Sequence, residues 1–144
     1  MLTYTFRLRS GDDLRQSIED YIKNRQINAG VVVSLVGSLK ISCLRVDGVK
    51  EFTSGGPFEI VSATGTLSQD GVHIHLSLAD RYGKVTGGHL KHGCIVHTTA
   101  EVVIGHIIED TYYRVTDPYT GHKELEVESP NTIKTTDNNL SRSD

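Results

Sequence analysis

Only two cysteines, Cys43 and Cys94, occur in the 144 residues. They stand far apart and neither belongs to a Cys-x-x-Cys pair. The sequence therefore offers no disulfide framework, and the two read as small core residues. No apolar run is long enough to cross a bilayer. The opening Met-Leu-Thr-Tyr-Thr-Phe-Arg meets charge at Arg7 and Arg9, where a secretory leader would continue apolar. These absences give the expectation of a cytoplasmic protein with no membrane partner. Basic blocks are missing too. The 15 Lys and Arg are spread along the chain against 18 Asp and Glu, for a net charge of −3 and a pI of about 6.1. Unaided nucleic-acid binding draws on clustered cations that release counterions. There is also no Arg-Gly-Arg-Pro minor-groove arm, so the sequence does not argue for DNA as a partner.

What is present fits one domain. The length suffices for a hydrophobic core without staples, and 37% hydrophobic with 23% charged residues excludes wholesale disorder. Leu2, Tyr4, Phe6 and Leu8 alternate with Thr3, Thr5, Arg7 and Arg9, the pattern of a half-buried strand. Ser10-Gly11-Asp12-Asp13 then reads as a helix start, with Ser10 as N-cap. Leu14, Ile18, Tyr21 and Ile22 follow at helical spacing on one face, with Arg15, Gln16, Glu19, Asp20 and Lys23 on the other. Asn28-Ala29-Gly30 is the expected stop.

Short strands follow. They are expected over residues 31–35 and 38–46, then over 49–53 after an Asp47-Gly48 hairpin turn. Ser54-Gly55-Gly56-Pro57 reads as a loop, and 58–67 and 72–79 as an antiparallel pair. Further strands are expected at 98–108 and 125–127. Hairpin-like connections among many short strands are not the βαβ rhythm of a parallel sheet. The fold expected is α+β, a mainly antiparallel sheet covered in part by one main helix. Beyond Pro130 the composition turns to Thr, Asp, Asn and Ser. The domain is therefore placed at residues 1–128, with a flexible tail at 129–144.

Six of the seven histidines lie from position 73 to position 106. In Val72-His73-Ile74-His75-Leu76-Ser77-Leu78, strand geometry puts His73, His75 and Ser77 on one face and the aliphatic residues on the other. Two imidazoles at i and i+2 can converge on one ion at zinc-ligand distance, and His89 is the best third candidate. Were Asp80 to Gly83 a simple turn, paired residue numbers would sum to about 163 and His89 would oppose Ile74, on the wrong face. The site therefore predicts a bulge at Gly87-Gly88 that brings His89 round. Zinc is the expected ion, though imidazole also serves other divalent transition metals. Glu101 and Arg7 are candidates from residue type alone, the first as fourth ligand or general acid/base, the second as a carboxylate partner.

Several motifs stand in order along the chain: Arg-Leu-x-x-Gly-Asp-Asp-Leu at 7–14, Gly-Pro-Phe-Glu-Ile-Val at 56–61 and His-x-His-x-Ser-Leu-Ala-Asp at 73–80. Gly-x-Val-x-Gly-Gly-His-Leu follows at 83–90, and Gly-Cys-x-Val-x-Thr-Thr-Ala-Glu-Val at 93–102. Over about residues 3–127 the chain resembles the plants-and-prokaryotes conserved domain. That resemblance implies an antiparallel sheet with a few short additional helices, assembled as a homotrimer. In plants the domain sits behind AT-hook arms that bind DNA, and this chain has no AT-hook. The family is also structurally similar to acetolactate decarboxylase, which holds zinc through a His-x-His pair and a later histidine. His73, His75 and His89 match that pattern. Two functions follow as expectations. One is a homotrimeric metal-binding module with an assembly or regulatory role. The other is a small zinc-dependent enzyme, a lyase or hydrolase acting on a small carbonyl or carboxylate ligand.

Overall fold

A computed structural model describes residues 1–46 and 51–130 of the chain. The Asp47-Gly48 turn and residues 131–144 of the expected tail lie outside these. In chain order the elements are β1 (Leu2–Arg9), α1 (Leu14–Asn24), β2 (Gly30–Arg45), β3 (Phe52–Ser68), β4 (Gly71–Ala79), β5 (Val85–Leu90), β6 (Ile95–His106), β7 (Thr111–Thr116) and β8 (Lys123–Glu128). The result is a mostly antiparallel sheet with a single helix among the described residues, and the additional short helices do not occur there.

The helix begins three residues later than Ser10 would have it. Asp13 is the N-cap, accepting the Gln16 amide at 3.0 Å through one carboxylate oxygen and the Gly93 amide at 2.6 Å through the other. Ser10 falls instead in the turn closed by Asp12 N–H to the Arg9 carbonyl. Leu14 is the first side chain that can be buried, and with Ile18 and Ile22 it is fully enclosed. Three such aliphatic side chains contribute roughly 2 kcal/mol each to holding α1 on the sheet. The helix also stops early, at Asn24, with Gln26 in the left-handed region at φ 51°.

The large sheet runs β1-β6-β2-β3-β4-β5, and β5 returns to pair with β2. One edge of β2 carries β3. Its other edge carries β6 along residues 30–41 and β5 at Leu44 and Arg45. Strands β2, β3, β4 and β5 therefore close into a ring. The two expected strands at 31–35 and 38–46 are one continuous strand. Gly37 permits this, because a Cβ there would sit 2.2 Å from the Thr99 carbonyl oxygen of β6. The expected loop at residues 54–57 is part of β3. Its Gly56–Pro57 bond is cis, and the β2–β3 register shifts between Leu39 and Ile41 beside it. Such an irregularity is where a residue without an N–H can sit inside a strand. Strands β7 and β8 form a separate hairpin, of which only the core of β8 was expected.

Candidate metal centre

Strand β4 alternates as its sequence dictates. Val72, Ile74, Leu76 and Leu78 are buried, while His73 and His75 project from the opposite face. Strand β5 places His89 directly opposite His75, and Gly88, Gly87, Thr86 and Val85 continue opposite Leu76 to Ala79 without a break. Cross-strand partners share a face, so His89 lies on the histidine side. The expected bulge at Gly87-Gly88 is absent, and the reason lies in the turn. It is one residue longer than a simple one. Asp80 N–H donates to the Lys84 carbonyl at 2.9 Å, and the Asp80 carboxylate accepts the Tyr82 and Lys84 amides at 2.8 and 2.9 Å. Paired numbers consequently sum to 164. The two glycines do different work. A Cβ on Gly87 would stand 2.5 Å from the Leu76 carbonyl oxygen, and one on Gly88 2.8 Å from that of Arg45. They let β5 lie tightly between β4 and β2.

The three imidazoles meet. Ring centroids are 5.0 Å apart for His73–His75 and for His73–His89, and 5.6 Å for His75–His89. One ligand nitrogen from each lies within 4.8 Å of the others. Donors about 2.05 Å from a tetrahedral zinc stand about 3.3 Å from one another, and His73 Nε2 and His75 Nε2 are 3.2 Å apart. His89 Nε2 accepts a long 3.4 Å contact from Arg15 Nη1, and its Nδ1 is buried with no hydrogen-bond partner among the described residues. A buried ring nitrogen left without a partner is costly unless something meets it. Burial, then His73, Arg15 and Arg45, push His89 down to about 4; burial and then His75 and Arg114 lower His73. Both rings are thus neutral near pH 7, the form that binds metals. The donor set, its spacing and the orphaned nitrogen fit a divalent transition metal.

A row runs across the ring of strands, Thr64–His75–His89–Arg45, with Thr66 beside it opposite His73. Beside His73, His89 and Arg45 lies a cavity of about 320 Å³, walled also by Arg15 of α1 and by Arg114, Lys123 and Glu124 of the β7–β8 hairpin. His75 lines, together with His73, two further cavities, one towards Gly87 and Gly88, the other towards Thr64 and Thr66. Arg7 and Glu101 face each other across β1 and β6, and Glu101 also opposes Val36 of β2. Neither lines these cavities, so the fold does not bring them to the histidines. Sequence reasoning missed Arg15, Arg45 and Arg114. Arg15 and Glu19 stand i,i+4 like a solvated pair, yet Arg15 is largely buried and donates to the Leu90 and Val72 carbonyls.

A family model described as the Plants and Prokaryotes Conserved (PCC) domain matches residues 1–108. A bifunctional protein GlmU of Synechococcus is 41% identical over 126 residues, which is 87% of this chain and 20% of that protein, so the chain spans about a fifth of the length of this curated relative. A hypothetical protein of Salmonella is 34% identical, with a TM-score of 0.86 over 90% of this chain and 94% of that one. A metal-containing protein of Archaeoglobus fulgidus, 24% identical, has a TM-score of 0.69 over 88% and 94% of the two chains, a likeness of fold. No described helix is long and apolar enough to cross a membrane.

Proposed function

This chain belongs to the Plants and Prokaryotes Conserved domain family, and we propose that it is a metal-binding module in which His73, His75 and His89 hold a divalent transition metal. One observation carries the reading: three imidazole donors on two adjacent strands lie within 4.8 Å of one another. Zinc is the ion proposed, because neutral nitrogen donors at tetrahedral spacing suit it. The module acts in assembly or regulation as a homotrimer. In support of self-association, Val33, Val36 and Val61 on β2 and β3 are each more than half exposed, apolar side chains of the kind that subunit contacts cover. DNA is not proposed as a partner of a chain with net charge −3.

The second reading is a small zinc-dependent lyase or hydrolase. It is favoured by a count of three protein ligands, which leaves a coordination position open beside a cavity. A metal there would polarise a carbonyl or activate water. This chain's own contribution would be to hold the donors neutral and to face the cavity with cationic side chains. Elemental analysis of the purified chain beside His73→Ala and His89→Ala tests the site. About one metal per chain in the native protein, lost in both variants, is expected. No stoichiometric metal in the native protein would end the reading, and retention in both variants would mean other ligands. Sedimentation equilibrium at a mass of three chains is expected for the assembly.

A further inference from the structure

The cavity beside His73 and His89 has an electrostatic character that a metal alone does not explain. Four cationic side chains line it, Arg15, Arg45, Arg114 and Lys123, against Asp70 and Glu124. The cations differ in how far they are already satisfied. Arg15 is committed to the protein, with Nε 2.8 Å from Glu19 and its other nitrogens on the Leu90 and Val72 carbonyls. Arg45 makes no ion pair with a described residue. Arg114 donates only through Nη2, to Thr66 Oγ1 at 2.6 Å and the Thr66 carbonyl at 3.3 Å, which leaves its Nε and Nη1 without a partner among the described residues. Of the acids, Asp70 accepts the Arg114 backbone amide and Glu124 accepts the Thr120 hydroxyl.

These two guanidinium groups are placed by the strand register. Arg45 is the cross-strand neighbour of His89, and Arg114 is tied to Thr66, the cross-strand neighbour of His73. They therefore flank the histidines from two sides, one from the ring of strands and one from the β7–β8 hairpin. We propose that this cavity binds a small oxyanion, a carboxylate or phosphate group, between Arg45 and Arg114, and that the β7–β8 hairpin selects it. A guanidinium presents paired donors that match the spacing of such oxygens. A volume of about 320 Å³ suits a ligand of small-metabolite size. An apolar ligand would strand the two charges, and a cation would be repelled. The hairpin lies after the family-matched residues 1–108, so the wall it supplies comes from outside that matched segment. The inference rests on the metal reading only for what the anion lies beside.

Titration calorimetry on the full-length, metal-free chain at low salt tests it, with inorganic phosphate and malonate as probes in separate arms. Saturable binding of one probe molecule per chain is expected in at least one arm, and the arm that binds identifies the oxyanion. Arg45→Gln and Arg114→Gln should each weaken binding by about tenfold or more, the effect of losing a charge-assisted hydrogen bond. Arg114→Lys should recover part of it. Because Arg114 also anchors the hairpin, its variants are melted in parallel; exposed Arg45 carries no such role, so its variant should bind weakly at an unchanged melting temperature. No saturable binding of either probe, or wild-type affinity in both glutamine variants, overturns the proposal. Arginine-dependent anion binding, together with no stoichiometric metal in the native protein, would remove the metal reading and keep this one; metal binding without it would do the reverse.

Discussion

Replacing Gly87 with alanine should damage the metal centre while leaving all three histidines in the chain. Gly87 opposes Ser77, two residues before His89 on the same strand. The added Cβ would meet the Leu76 carbonyl oxygen at 2.5 Å, whereas such contacts are tolerated only from 3.0–3.4 Å. The three nearest atoms are all backbone atoms of β4, so no flexible group is there to yield. Strand β5 must therefore move away from β4 by about 0.5–0.9 Å, the kind of over-packing that costs about 1–3 kcal/mol. Metal ligand distances hold to about 0.2 Å, so the displacement takes His89 out of range of an ion held by His73 and His75. Zinc affinity should fall by about tenfold or more, the scale seen when supporting groups of a metal site are lost. The metal-free chain should melt about 3–10 °C lower. Competition titration with a chromophoric chelator reads the affinity, and a melt in EDTA reads the stability. Gly55→Ala is the control, since nothing lies within 4 Å of its Cβ position. Wild-type zinc affinity in the Gly87 variant would refute the reasoning, because the close approach of β4 and β5 would then not be what sets His89.

Two other outcomes follow from the same geometry. His89 titrates near 4 in the fold, below the ordinary 6.5, so between those pH values the unfolded chain binds the extra proton and metal-free stability declines as pH falls from 6.5 towards 4. Urea midpoints at pH 7 and pH 4.5 should show that decline, and His89→Gln should flatten it; an equal slope in the variant counts against the assignment. Asp13→Ala removes both the cap on Gln16 and the acceptor for Gly93, and should destabilise the chain by about 1–3 kcal/mol in chemical denaturation. A change of less than about 0.5 kcal/mol, within the range of ordinary surface substitutions, would show that this clamp is dispensable.

How much of this was legible in the sequence depended on whether the signal was local. The alternation in residues 72–78 and the helical spacing of Leu14, Ile18 and Ile22 each fix a buried face within a few neighbours, and the fold keeps both. The helix start was misjudged because Ser10 stands only three residues before Asp13, and Asp13 is the one that Gly93, eighty residues away, holds in place. Proline and glycine at 54–57 spoke for a loop. Pairing with β2 overrode them by placing a register shift beside the proline.

The histidine site shows the same division at finer scale. Period-two geometry makes the face of His89 depend on a single residue of turn length, since paired numbers summing to 163 or to 164 put it on opposite sides of the sheet. Asp80 decides between them, because its carboxylate accepts two amides of the turn and so wraps the extra residue. Its identity was visible in the sequence, but the two acceptor bonds were not. The arginines were hidden for a different reason. Arg45 joins the row through β2–β5 pairing across forty-odd positions, and Arg114 arrives on a hairpin whose β7 strand has no buried face of its own to announce it. A chain can thus declare its metal donors through a short spacing pattern while concealing the charges that would choose the ligand. Donors must share one strand face within a few ångströms, whereas long cationic side chains can reach a cavity wall from any element that passes near it.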